Sequence, residues 1–318
     1  VTAMVTARSP AAASPRMLGG RADARPARWR RQLGAKLALL PLTAVVIVVY
    51  LGCMLWTVRL SFSSSKLLPV GDWAGLQQYE RLFANDRFLL SAINIGIFGV
   101  LFIGGCLVFG FLLAVFIDQR VRAEGVLRTV FLFPHAMSLV VTGLAWQWFL
   151  NPTLGLQKLV RDLGFAGFTF DWIVNQQMVI YTLVIAGIWQ ASGLVMAILL
   201  AGLRGVDEDL WKAARVDGIP AWRVYLSIAL PLIGPMVVTA TVLLAVQVVK
   251  LYDLVVAMTR GGPGIASEVP AKFVMDHLFE RNNIGLATAA ASMMLVTVVA
   301  ILAPWIYARY VRETGRRT

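Results

Sequence analysis

The sequence predicts an all-α polytopic membrane protein with six transmembrane helices. The mean hydropathy of the chain is +0.73. Charged residues make up only 14% of its 318 positions, against roughly a quarter in soluble domains. The apolar residues also gather into runs long enough to cross a hydrocarbon core about 30 Å thick. A chain of this length holds about two soluble domains, but uninterrupted apolar runs would have no place on a soluble surface.

Residues 1–36 are polar and rich in Arg, Ala and Pro, and are expected to form a disordered basic tail. Six spans follow: 37–59, 91–117, 126–149, 178–203, 229–257 and 284–308. Each has the length that a tilted transmembrane helix needs. The first run exceeds the apolar core of a signal peptide, so it is expected to remain as an uncleaved span. Residues 37–309 thus form the transmembrane domain, and 310–318 a short C-terminal tail.

Lys and Arg set the orientation. Residues 1–36, 118–128, 204–228 and 309–318 together carry nineteen of them, whereas 59–88, 150–177 and 258–283 carry nine. Positive segments stay in the cytoplasm, which places both termini and the 204–228 loop there.

Several chemistries are excluded or disfavoured. Cys53 and Cys106 both fall within apolar runs, so no disulfide framework is expected, and His135 and His277 lack ligand spacing for a metal. The net charge of +12 collects beside hydrophobic segments rather than on a separate face, which points to membrane lipid and not to nucleic acid. The chain has no Gly-Lys dipeptide and hence no phosphate-cradling G-x-x-x-x-G-K-[ST] loop. No nucleophile–base or carboxylate pair is spaced for catalysis. The expectation is a protein that is not an enzyme, with ATP and magnesium bound by a partner.

The cytoplasmic segment VDEDLWKAARVDG reads as a short helix. Asp207, Glu208 and Asp209 suit its N-terminus, Lys212 and Arg215 its later turns. Gly218 is a left-handed stop, and Pro220 resists continuation. Leu210, Ala213, Ala214 and Asp217 share one face by helical spacing, and the two alanines would let another surface come close. An amphipathic linker resting on lipid headgroups has the same periodicity.

This segment resembles the EAA loop of the permease subunits of bacterial ABC importers: Glu-Ala-Ala, three residues, Gly, nine residues, Ile, one residue, Leu-Pro. Ala213, Ala214, Gly218, Ile228, Leu230 and Pro231 match in register, with Asp217 before the glycine. Lys212 stands where that family carries Glu, so the ion pair of that Glu is not implied here. The likeness extends over nearly all of the chain after residue 37, through LLPLTAVVIVVY, LSFS, GLQQYERLF, FLFPHAMSLVVTGLAWQWFLNPTLGL and TRGGPG. These look like the sugar-transporting branch, nearest to glucose/mannose and α-glucoside permeases. The resemblance implies a type I ABC importer permease fold. It also implies a second homologous permease, an ATPase dimer into which the 204–228 loop docks as a coupling helix, and an extracytoplasmic sugar-binding protein. No large soluble insertion interrupts the outer loops, in contrast to the maltose permease.

For a sugar path, the fifth span offers Gln247, Lys250, Tyr252 and Asp253, the fourth Trp189 and Gln190, and the second Asn94. Polar groups inside spans usually face a cavity, and Lys250 and Asp253 are spaced to pair on one helix face. Lys250 and Asp253 could equally snorkel to the interface. Trp146 and Trp148 suit an interfacial aromatic belt, Trp189 suits either the path or the core, and His135 suits packing. An ion-driven secondary carrier would show inverted repeats and midplane charges, of which the sequence gives little sign. A scaffold that only anchors an ATPase is the remaining alternative.

Overall fold

The computed structural model describes residues 37, 39–69, 72–119 and 121–314. The expected tail over 1–36 and the last four residues of the expected tail over 310–318 lie outside them, whereas 310–314 continue the final helix instead of forming a tail. The chain forms two units, Val1–Met54 and Leu55–Thr318. In the first, residues 39–54 belong to α1 (Leu39–Leu60), whose Val46–Leu51 stretch winds in wider π-type turns and exposes its apolar side chains.

The second unit is built on two long helices. α2 (Gln77–Phe83) is short and precedes α3 (Asp86–Asp118), which Asn85 caps by accepting from the backbone N–H groups of Arg87 and Phe88. α4 (Glu124–Ala136), α5 (Leu139–Phe149) and α6 (Leu156–Asp162) follow, then α7 (Val179–Arg204). α3 and α7 lie against each other along their length, with Phe98 and Phe102 stacked at 5.1 Å in the core beside Gly187. Small residues set that approach: a Cβ on Gly110 would stand 2.6 Å from Val195 Cγ1, and backbones meet closely in membranes where side chains are small.

The remaining elements are α8 (Glu208–Val216), α9 (Ala221–Leu232), α10 (Gly234–Val249), α11 (Asp253–Met258), α12 (Pro270–Met275) and α13 (Ile284–Thr314). Leu82, Phe88, Phe273, Leu286, Ala289 and Ala290 close a smaller core where α2, α3, α12 and α13 meet.

α1, α3 and α7 are each long and apolar enough to span a membrane alone. The expectation of single straight helices over 126–149 and 229–257 does not hold. α4 and α5 meet at 97°, and α9 and α10 at 74°. Pro134 lacks the N–H that would bond one turn back, which weakens the helix there. Met137 is then extended, and Ser138 Oγ recaps the chain by accepting from Val141 N–H. In the second pair Ile233 ends α9, and the Gly234-Pro235 sequence opens α10 with proline in the first turn, where no N–H is needed. Broken helices of this kind persist in membranes where neighbours or cavities satisfy the freed backbone.

Candidate functional site

α8 forms as its sequence dictates. Asp207 caps it, accepting at 2.9 Å from Asp209 N–H, with Glu208 and Asp209 in the first turn and Arg215 in the last. Gly218 stands at φ +67°, with nothing near the position of a Cβ. Its N–H donates to Arg215 O and that of Ile219 to Ala214 O, closing the helix end. Pro220 starts the next helix. Lys212, at the position of the motif Glu, donates to Asp209 Oδ1 at 3.0 Å on its own helix. Both side chains are exposed, so the pair adds little stability.

The four residues expected on one face of α8 divide. Ala214 is buried, Leu210 half-buried, and Ala213 and Asp217 are exposed. Val216 is 87% exposed and leaves an apolar side chain on the outer side. The inner side is carried by Trp211, whose ring lies 5.0 Å from that of Tyr225. Tyr225 is itself buried and donates through Oη to Asp118 Oδ2 at 2.8 Å. Trp211, Tyr225 and Asp118 were missed by motif reasoning. The signal for Trp211 was its i, i+3 spacing to Ala214; the other two come together only in space. Of the motif's second half, Ile228 and Leu230 are half-buried and Pro231 is exposed.

Between α8 and the ends of α3, α4 and α7 lies an open cleft of about 1240 Å³. Asp118, Glu124, Arg204, Trp211, Arg215 and Tyr225 are among its walls. Arg204 and Glu124 form an ion pair at 2.7 Å.

The residues expected along a substrate path are scattered. Trp189 is 39% exposed and meets Trp146 edge-on at 5.9 Å, so these two rings come together. Gln190 is buried and Gln247 half-buried. Lys250 ends α10 and Asp253 begins α11, with Tyr252 between them at φ −132°, ψ −59°. The expected Lys250–Asp253 pair on one helix face is therefore corrected: the chain leaves the helix between them, both are exposed, and no ion pair joins them among the described residues. His135 presents a buried Nδ1 without a partner among the described residues.

Asn94 is committed to backbone. Its Nδ2 donates to both Ala266 O and Glu268 O at 2.9 Å. It thereby holds the 259–268 loop, where Arg260, Gly261 and Gly264 are all left-handed and Ser267 Oγ donates to Gly262 O. The TRGGPG stretch turns here, with Gly262 N–H donating to Thr259 O. Pro263 of this loop borders two cavities. One, of about 410 Å³, also touches Asn94, Gln176, Gln177 and Tyr181; the other, of about 270 Å³, touches Gln147 and Asn151.

Beside the loop, Arg87 donates to Glu268 Oε2 at 3.0 Å and to Asp276 Oδ2. Lys272 Nζ reaches Asp276 Oδ2 at 2.6 Å and Glu268 Oε2 at 3.9 Å. Burial raises the Glu268 carboxyl above its usual range, against the opposing pull of Arg87 and Lys272. Burial also works to raise Asp276, but the hydrogen bond and charge of Lys272 and those of Arg87 outweigh it and hold that carboxyl low. A carboxyl with a lowered folded pKa stabilises the fold above its unfolded value, about 3.9 for Asp, and loses that contribution as pH falls through the folded value. The raised Glu268 works oppositely, favouring the fold most below its unfolded pKa and less as pH rises through the folded one. Acidification below about pH 4 should thus lower the thermal unfolding midpoint of the purified complex. Asp276→Asn should start lower and lose less on the acid side. An equally steep acid loss in that variant would remove Asp276 as its source.

Residues 106–312 match the family described as binding-protein-dependent transport system inner membrane component. A probable ABC transporter permease protein of Pyrococcus horikoshii is 31% identical over 279 residues, covering 87% of this chain and 96% of its own. The xylose/arabinose import permease protein of Haloferax volcanii is 31% identical, covering 85% and 86%. A bacterial alginate ABC transporter, solved in complex with alginate pentasaccharide-bound periplasmic protein, has a chain that superposes with a TM-score of 0.75. It covers 86% of this chain and 93% of that one at 18% identity, and so shares the fold. A family match over most of the chain, on a fold whose apolar helices are broken by proline and joined by the short helix α8, makes this protein a member of the inner-membrane components of binding-protein-dependent transport systems, a multi-pass ABC transporter permease subunit.

Proposed function

We propose that this chain is the transmembrane subunit of an ATP-driven sugar importer. It forms the translocation path with a second homologous permease, with both termini and residues 204–228 in the cytoplasm. An ATPase dimer, which binds the ATP and magnesium, docks on the 204–228 loop, and an extracytoplasmic binding protein delivers the sugar. The proposed substrate is glucose/mannose or an α-glucoside. Support for sugar comes from the xylose/arabinose relative and from the likeness of the sequence to that branch.

The observation that carries the coupling reading is the two-sided character of α8. Its inner side is packed through Trp211 and Ala214, while Ala213, Val216 and Asp217 stand outward beside a left-handed Gly218. A free apolar side chain and a small one on a protruding helix suit a cleft in another protein. Lys212, Ala213, Ala214, Asp217, Gly218, Ile228, Leu230 and Pro231 remain the residues assigned to this role. Asn94, Trp189, Gln190, Gln247, Lys250, Tyr252 and Asp253 remain the proposed path, with Asn94 acting through the loop it holds.

The test is ATP hydrolysis by the complex isolated through this chain, with its co-purifying binding protein and glucose, mannose, maltose or trehalose. Stimulation by one sugar identifies the substrate. Ala213→Asp, which puts a charge on the outer side of α8 without disturbing its buried side, should lower sugar uptake at least ten-fold while the chain still inserts. Normal uptake by this variant would overturn the coupling role of α8. Uptake that survives ATP depletion and collapses with an uncoupler would place the chain with ion-driven carriers instead.

A further inference from the structure

The outer side of α8 meets a partner, but a force applied there does work only if it reaches the spans. α8 is one short helix bounded by Gly205 and Gly218. An open cleft lies beneath it, while Tyr225 and Ala229 of the 206–230 segment join the main core and Val206, Trp211 and Leu230 pack against it. The Arg204–Glu124 pair joins α7 to α4 and leaves α8 itself out. One line of side chains from α8 ends in a hydrogen bond to the last residue of α3. Trp211 lies on the Tyr225 ring, and the Tyr225 hydroxyl donates to Asp118 at 2.8 Å.

Asp118 is a fixed point. It is the last residue of α3, the 33-residue helix locked against α7 at Gly105 and Gly110. Tyr225, by contrast, lies beyond the turn at Gly218 on the segment that follows α8. Its ring is buried between Trp211 and the main core, and its hydroxyl is bonded to the end of α3. Resting on the coupling reading of α8, we propose that the Tyr225 hydroxyl, donating to the Asp118 carboxylate, is the positioning contact through which displacement of α8 is passed to α3. Removing the hydroxyl leaves the aromatic packing in place and takes away this bond alone.

The test is the number of sugar molecules imported per ATP hydrolysed by the complete complex in proteoliposomes, measured for Tyr225→Phe, Asp118→Ala and Asp118→Asn. A hydrogen bond to a charged group of this kind is worth about a ten-fold change in an equilibrium. Tyr225→Phe and Asp118→Ala should each lower the ratio by about that factor. Asp118→Asn, whose carbonyl still accepts from the hydroxyl, should recover most of it. A purely structural role would reduce the amount of assembled complex and leave the ratio unchanged. If Tyr225→Phe fails to assemble, the Asp118 pair decides: equal ratios for Ala and Asn overturn the proposal. A normal ratio in Tyr225→Phe beside a collapsed one in Ala213→Asp overturns the relay but spares the coupling reading. Normal ratios in both overturn the coupling reading itself.

Discussion

Replacing Gly193 with valine is expected to abolish the assembled permease. Gly193 lies in α7 where α4 crosses it, and a Cβ built there would stand 1.9 Å from Phe131 O and 2.7 Å from the Phe131 carbonyl carbon. Both neighbours are backbone, so no rotamer change relieves the overlap, and the two helices would have to separate. Overpacking a core against movable side chains costs about 1–3 kcal/mol; here even alanine should reach the upper end of that range, and valine should exceed it. The helices involved make the cost global, because α7 also packs along α3 and supports the bent α4–α5 pair. Gly104→Ala is the matched control, since nothing lies within 4 Å of the position its Cβ would take. Thermal unfolding of the purified complex should show a large loss for Gly193→Ala and little change for Gly104→Ala. Equal midpoints would mean that the α4–α7 crossing is looser than the structure has it.

Much of this architecture was legible because membranes impose simple demands. The apolar runs of α3 and α7 must satisfy their backbone internally, and a helix is the way a single segment does so. The limits of α8 were equally plain, with an acidic start at Asp207 and a glycine stop at Gly218. The bends were harder to read, since hydropathy sums a window of residues and carries no direction. Pro134 and the Gly234-Pro235 pair were visible as breakers, yet proline is common enough in membrane helices that its presence alone does not give a 97° turn. Lys250 and Asp253 illustrate a different failure. Their spacing implies pairing only if the intervening residues are helical, and Tyr252 is not. The line from Trp211 through Tyr225 to Asp118 had no local pattern at all, because its last two members are 107 positions apart.

The same distance in sequence hid the Arg87 network, whose partners lie 181 and 189 residues away, and it is there that a second large effect is expected. Glu268 and Asp276 are nearly inaccessible, with side chains 1% and 9% exposed, and Arg87 is the group that bridges them. Truncating one member of a buried charge network typically costs about 3–5 kcal/mol, because the remaining charges are left desolvated. Arg87→Met keeps an unbranched apolar stem but leaves one cation, Lys272, between two acids. Lys272 already lies 2.6 Å from Asp276 and 3.9 Å from Glu268, so Glu268 is the acid left behind. Its carboxyl, already raised by burial, should then take up a proton in the variant. Arg87→Lys should rescue it only in part: the one Nη2 atom meets both carboxylates, and the shorter lysine side chain places its ammonium short of that point. The decisive comparison is the double variant Arg87→Met with Glu268→Gln. If the penalty comes from the stranded acid, removing that charge should return a substantial part of the lost stability, and the two substitutions should be far from additive. Additive losses would instead show that Arg87 acts by packing. The consequence for transport follows from position: Glu268 O and Ala266 O are the acceptors of Asn94, so loosening Glu268 frees the end of the 259–268 loop. Arg87→Met should therefore make that loop more sensitive to proteolysis in the folded complex.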